Sequence, residues 1–189
     1  TDALKNQDVK LAQQVIAADH DINALRWSLE DEALAVIAMQ APMAGDLRQI
    51  AAGLHIISEL ERMGDHAAGN AKIVLLTADE PQLKPLVDIP RMSQVARAML
   101  SDAIDAYIRS DVPLARATMA MDDEIDELYN QVYRELLTYM MDDTKTINRA
   151  THLLWAAHNL ERIGDRTENI CEFVVYSVTG SISEAYVPA

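Results

Sequence analysis

Apolar residues recur along much of this chain at intervals of three and four, the period that places them on one face of a helix. Leu153, Ala157, Leu160, Ile163, Ile170 and Val174 form one such stripe, and Met92, Val95, Met99, Ile104, Tyr107 and Ile108 form another. The pattern predicts long amphipathic helices packed side by side. The longest tight apolar run, Ile73 to Leu76, is far shorter than the roughly 18 residues of a membrane span.

The stripes belong to a unit that occurs twice, and internal repeats fix architecture before any single motif is interpreted. DVKLAQQVIAADHDINAL (Asp8 to Leu25) aligns with DVPLARATMAMDDEIDEL (Asp111 to Leu128) at an offset of 103. Asp8/Asp111, Val9/Val112, Leu11/Leu114, Ala12/Ala115, Asp19/Asp122, Ile22/Ile125 and Leu25/Leu128 are identical pairs. Further on, LERMGD from Leu60 matches LERIGD from Leu160 at an offset of 100. The difference in offset falls near MQAPMAGDLR in the first copy and MMDDTKTINR in the second. A loop is expected there, because length changes accumulate where no packing fixes the chain. Pro42 is expected in the first turn of the helix that follows, with Asp46 and Asp142/Asp143 where carboxylates favour a helix N-terminus.

The second copy has one more helix, residues 88–111. Its counterpart in the first copy is reduced to Thr1 to Gln7, since Thr1 aligns with Ile104. Thr77 to Leu86, with Pro81 and Pro85, reads as the boundary loop. The expected fold is all-α: two tandem three-helix bundles related by an internal repeat, residues 1–80 and 81–189, the first lacking its N-terminal helix in this chain. Two amphipathic helices without their third partner expose an apolar groove, which a second copy or a rearranged helix would fill.

Composition narrows the function classes. Half of the 189 residues are hydrophobic but only 5% are aromatic, a balance that suits helix packing over sheet packing. Thirty acidic residues against sixteen Lys and Arg leave a formal charge of −14, which repels nucleic acid and anionic lipid and favours cationic partners, metals above all. Cys171 is the only cysteine, so no intramolecular disulfide and no oxidising compartment are implied, and a cytoplasmic setting is expected. No signal peptide is visible at the N-terminus.

The candidate chemistry lies in the two LERxGD segments. Glu61 and Asp65 share a helix face, as do Glu161 and Asp165; like charges at that spacing destabilise a helix by about 0.2–0.5 kcal/mol. Mid-helix Gly64 and Gly164 add about 1 kcal/mol each relative to alanine. Acidic pairs four apart occur five times in the chain, about the number expected by chance in so acidic a protein, so frequency alone carries nothing. The recurrence of Leu, Glu, Arg, Gly and Asp together does, and so does a matching pair, Asp122 and Asp126, on the preceding helix of the second copy. A hard cation taking carboxylate oxygens from neighbouring helices would convert this repulsion into coordination. The glycines would then admit a close neighbour to the backbone.

Arg62 and Arg162 are placed to orient the acids or to pair with them as ordinary surface arginines. The second copy also carries Glu168, Glu172 and, one turn before Glu161, His158, where the first has Ala68, Lys72 and Ser58. Its higher ligand charge predicts tighter metal binding or more ions. The oxygen ligands admit divalent or trivalent ions, with Mg, Ca, Mn and Fe, or Zn through His158, as candidates. Trp27, Trp155 and the methionines are expected in the core. No Glu-x-x-His pair, phosphate loop or nucleophile motif is present, and no enzymatic activity is expected.

LERIGDRTENICEFVVYSVTG (Leu160 to Gly180), LLTYMMDDTKTI (Leu136 to Ile147) and SELERMGDHA (Ser58 to Ala67) resemble, in order and spacing, the signature segments of the PhoU family of phosphate-signalling regulators. The resemblance covers nearly the whole chain. It implies metal clusters, multinuclear iron or zinc among them, on Glu/Asp-x-x-x-Asp motifs. The matching positions are Asp122 and Asp126 with Glu161 and Asp165, and Asp19 with Glu61 and Asp65. Asn23 stands where the second copy has Asp126, so the first site has lost a carboxylate. The implied function is negative regulation: coupling a phosphate-uptake ABC transporter to a membrane histidine kinase and keeping the phosphate-starvation response off. Such a protein would sit at the membrane only through its partners, as a homo-oligomer with a dimer favoured. Two rival readings are a metal-free helical scaffold whose acidic faces dock a cationic partner, and an enzyme with a carboxylate-metal centre in a closed pocket.

Overall fold

In the computed structural model, which describes residues 1–186, the repeat shows first at its helix caps. The chain leaves α1 (Asp2–Asn6) and α4 (Asp88–Arg109) through a left-handed residue in each case, Gln7 at φ 50° and Ser110 at φ 54°. Asp8 and Asp111 follow, and each side chain accepts a hydrogen bond from the backbone N–H three residues on, Leu11 at 2.9 Å and Leu114 at 3.0 Å. Such a cap contributes about 1 kcal/mol by satisfying a donor the helix leaves free. The copies then differ. Helix α2 (Val9–Gln40) is continuous, whereas its counterpart stops after α5 (Val112–Met119), turns at Ala120–Met121 and restarts as α6 (Asp122–Asp142). The long helices α3 (Gly45–Thr77) and α7 (Ile147–Thr179) complete the two copies, and a 3-10 turn, Ile182–Tyr186, follows α7. The described residues contain no strand, and the all-α tandem repeat expected from the sequence is the fold.

The loops fall where the offset changes, with two corrections. Pro42 lies in the α2–α3 connection and not in the first turn of α3, which starts at Gly45 with Asp46 next. The left-handed residues Ala41 and Ala44 turn the chain around it. Asp142 is the last residue of α6; only Asp143 acts at a helix start, its carboxylate accepting from Lys145 N at 2.9 Å in the Thr144–Thr146 turn.

Helices α3 and α7 form the centre and run antiparallel, since contacts pair Glu59 with Arg166 and Asn70 with Ala156. Helix α2 packs on α3, while α4, α5 and α6 pack on α7. Between α3 and α7 the Asn159 amide donates to Asn70 Oδ1 (2.8 Å), the Asn70 amide to Ala156 O (3.2 Å), and His66 Nδ1 lies 3.2 Å from Asn159 Oδ1. These bonds satisfy groups that would otherwise be stranded in the core.

Fully buried Met92, Met99, Ile125, Val132, Leu136, Ile170 and Val174 fill the space around this pair, each contributing about 1.5–3 kcal/mol by burial. The stripe on α4 differs from the one read in the sequence. Ile89, Met92, Ala96, Met99, Ala103 and Ala106 are its buried residues, and Ile108 is 70% exposed. Alanines take the inward positions because they let α4 approach α7 and α5 closely.

Helix α1 is tied down. Ala3 and Leu4 are buried, Gln7 donates to Glu80 O at 2.8 Å, and Gln82 donates to Lys5 O at 2.6 Å. Above it, no third helix among the described residues packs along α2. Leu25, Leu34 and Met39 are exposed, and a cleft of about 400 Å³ opens beside Ile22, Leu60, Met63 and Leu100. This explains a further correction: Trp27 is 62% exposed and Trp155 52% exposed. Neither is core. Trp27 lies on the uncovered side of α2, and Trp155 meets the His152 ring edge-on, with ring centroids 5.4 Å apart. Met39, Met43 and Met141 are likewise exposed, while Met63, Met92 and Met99 are buried.

Candidate metal centre

The two LERxGD glycines face residues that the repeat makes equivalent. A Cβ built on Gly64 would meet Ile22 Cδ1 at 3.2 Å and Asp19 Oδ1 at 3.4 Å; one on Gly164 would overlap Asp122 Oδ1 and meet Ile125 Cδ1 at 3.0 Å. At Gly164 a carboxylate from the adjoining helix leaves no room for a side chain on the backbone, whereas at Gly64 the equivalent acid stands at ordinary contact distance. The glycines therefore serve side-chain approach, and Asp19 and Asp122 are equivalent in space as well as in sequence.

Around Gly164 the acids converge. Asp122 opens α6, whose first turn also holds Asp123 and Glu124, a placement the helix dipole favours. Asp126 lies one turn on, and Glu161, Asp165 and Glu168 face it from α7. Asp122 Oδ1 and Glu161 Oε2 are buried with no hydrogen-bond partner. His158 Nδ1 stands 3.2 Å from Glu161 Oε2 without the alignment of a hydrogen bond, and its ring is exposed. Burial pushes the Asp122 carboxyl up to about 7, with further upward pressure from Asp126, Asp165, Glu168 and Glu161. Burial first and neighbouring carboxylates second also raise Asp126, Glu161 and Glu168, while His158 and Arg162 pull Glu161 partly back. Each of these shifts disfavours the ionised form, and positive charge among the carboxylates would oppose it. Arg162 supplies part of that charge, pairing with Asp165.

The first site is composed differently. Asp19 Oδ1 is buried and unpartnered, Asp65 is exposed, and the Asn23 amide donates to Asp19 O at 3.1 Å within its own helix. Arg62 turns away from Asp65, its Nη1 lying 3.8 Å from Glu59. Glu61 is reached by a residue that sequence reasoning missed. Arg26 Nη1 on α2 lies 3.2 Å from Glu61 Oε2. The offset of 103 places Tyr129 at the equivalent position in the second copy, so Asn23 and Arg26 together replace Asp126 and Tyr129. That paired change was the available signal. A second arginine missed in the sequence, Arg166, meets the buried Glu59 at 3.1 Å across the α3–α7 interface.

The all-oxygen donor set, the two stranded buried oxygens and the glycine floor fit a hard cation at the second site. Among the described residues no three His, Cys, Asp or Glu side chains already stand as a coordination sphere, so binding would draw the carboxylates inward.

The PhoU domain profile matches residues 1–74 and again 89–174. A protein of Caulobacter vibrioides named phosphate-specific transport system accessory protein PhoU homolog is 44% identical over 179 residues, 94% of this chain and 78% of that protein. A protein of the same name from Aquifex aeolicus is 43% identical over 182 residues, 96% of this chain and 82% of its own length. The crystal structure of PhoU from Pseudomonas aeruginosa superposes with a TM-score of 0.89 at 35% identity, covering 95% of this chain and 86% of that one. The phosphate transport system regulatory protein PhoU from Streptococcus pneumoniae gives 0.84 at 33% identity, covering 95% and 84%. With the family profile found twice in one chain, and the glycine-floored acidic sites repeated with it, the chain belongs to the PhoU family.

Proposed function

We propose that this protein is an accessory regulator of a phosphate-specific transport system that holds a divalent or trivalent cation at its second acidic site. The observation that carries the cation reading is the pair of buried, unpartnered oxygens of Asp122 and Glu161 around Gly164. Asp122, Asp126, Glu161, Asp165 and Glu168 would hold the ion, with His158 at the rim and Arg162 steadying Asp165. A bound ion would supply positive charge between the carboxylates of α6 and those of α7. The regulatory part of the proposal is supported by the names of the relatives. It extends to coupling an uptake ABC transporter to a membrane histidine kinase so that the starvation response stays off when phosphate is plentiful. The residues supply helical faces and an acidic centre, which suits an adapter without catalysis. No helix among the described residues is long and apolar enough to cross a membrane.

The test pairs two readouts. Metal content of the purified protein is expected to fall in Glu161→Ala/Asp165→Ala, and the same variant is expected to derepress a phosphate-starvation reporter in cells grown with ample phosphate. Full metal content in the variant would refute the cation site, and an unchanged reporter would refute its regulatory role. A metal-free docking scaffold is the second reading, favoured by the lack of a preformed coordination sphere. It predicts instead that the variant melts higher than wild type, with or without chelator, because only repulsion has been removed.

A further inference from the structure

We propose that Arg26 is the resident cation of the first acidic site, a built-in counter-ion that keeps that site free of metal while the second remains open to it. The inference rests on the cation reading of the second site and assigns the first copy a different state. Its basis is the comparison of equivalent positions. Glu61 and Glu161 match in the repeat, yet Glu61 Oε2 lies 3.2 Å from the permanently charged Arg26 guanidinium of the neighbouring helix, while Glu161 Oε2, buried without a hydrogen-bond partner, has at 3.2 Å only the exposed His158 ring of its own helix, which is charged only when protonated.

The guanidinium is also held from behind. Its Nε bonds Glu30 Oε1 at 2.8 Å, and its Cζ lies 5.2 Å from the Trp27 ring centroid. A metal ion at Glu61 would have to displace a cation that is always charged and already fixed on two carboxylates. The remaining ligands are also poorer. Asn23 contributes an amide where the second copy has Asp126, and that amide is engaged by Asp19 O. The first site therefore holds three carboxylates and a guanidinium, whereas the second holds five carboxylates and a phenol, Tyr129, that carries no charge. One buried oxygen, Asp19 Oδ1, remains without a partner in the first copy, and a single water can serve it.

The experiment counts bound Mn2+ by loss of the free-ion electron paramagnetic resonance signal. Titrations are run on wild type, Glu61→Ala/Asp65→Ala, Glu161→Ala/Asp165→Ala and Asn23→Asp/Arg26→Tyr, the last converting the first site into the second. Wild type and Glu61→Ala/Asp65→Ala are expected to bind the same number of ions. Asn23→Asp/Arg26→Tyr is expected to bind at least one more, and adding Glu61→Ala to it should remove the gain. Equal counts in the converted variant and wild type would overturn the proposal, as would loss of Mn2+ from wild type when Glu61 and Asp65 are removed. Should the converted variant fail to fold by circular dichroism, Asn23→Asp/Arg26→Gln is titrated in its place and read the same way. The cation reading of the second site stands or falls separately, on whether Glu161→Ala/Asp165→Ala loses the ions that wild type binds.

Discussion

Gly64 lies against Asp19 and Ile22 of α2, and Gly164 against Asp122 and Ile125 of α6, so the same helix contact has been built twice in one chain. The backbone and its caps have stayed alike; the charges have not. In the first copy an arginine from the neighbouring helix meets the glutamate of the motif, and the helix carrying Asp19 is unbroken. In the second, the corresponding helix restarts at Asp122, the arginine is a tyrosine, and the glutamate has beside it only the exposed ring of His158 on its own helix, 3.2 Å away and without a hydrogen bond. Geometry is inherited through the pattern of small and apolar residues, which the core enforces. Ligand charge is set by a few half-exposed positions that the core does not constrain.

The largest effect that separates the copies is ligand-linked stability. An ion bound only by the folded state at a hundred times its dissociation constant stabilises by about 2.7 kcal/mol. Saturating Mn2+ is therefore expected to raise the melting temperature of wild type and of Glu61→Ala/Asp65→Ala alike, and to leave Glu161→Ala/Asp165→Ala unmoved. Equal losses in both variants, read by thermal melts with and without chelator, would make the copies equivalent.

Next in size are the glycines. Gly164→Ala forces its Cβ onto Asp122 Oδ1 and Ile125 Cδ1; overpacking of that kind costs about 1–3 kcal/mol against a helix-propensity gain of about 1. A net loss of about 1–2 kcal/mol is expected in denaturant unfolding. Gly64→Ala meets its neighbours at 3.2 Å and beyond, so gain and loss should nearly cancel, within about 1 kcal/mol of zero.

A smaller effect is a slope with pH in chelated protein. The Asp122 carboxyl is raised to about 7 in the folded state, against about 4 in an unfolded chain. Between those values the folded protein holds a proton that the unfolded chain has released. This group's contribution to stability is present at low pH, declines as pH rises from about 4 to about 7, and changes no further above that. Asp122→Asn removes the decline, so its melting temperature should gain on that of wild type across the window. A difference between the two that stays constant with pH would contradict the assignment. Smallest, and equal in the two copies, is the effect of the caps: Asp8→Ala and Asp111→Ala should each cost about 1 kcal/mol, since their bonds match to within 0.1 Å.

The sequence disclosed what depends on periodicity and repetition. Helix type, the loops at the change of offset, and the equivalence of Asp19 with Asp122 were all legible, because packing demands small and apolar residues at fixed spacing; which side chain each glycine admits was not. Exposure was harder to read. Trp27 looks like a core residue until it is seen on the uncovered side of α2, and Ile108 keeps the period of a stripe although the buried residues in its half of α4 are alanines, Ala103 and Ala106. The break at Ala120–Met121 leaves no glycine or proline to mark it. Arg26 could be connected to Glu61 only across two helices, a contact that spacing along one helix does not reveal.

The central claim is that two sites of one geometry differ in which cation they hold. Anomalous diffraction from crystals of this chain soaked in Mn2+ tests it most directly. The account predicts a manganese peak among Asp122, Glu161 and Asp165 and, beside Glu61, only the guanidinium of Arg26. Manganese at both sites, or at the first alone, would contradict it.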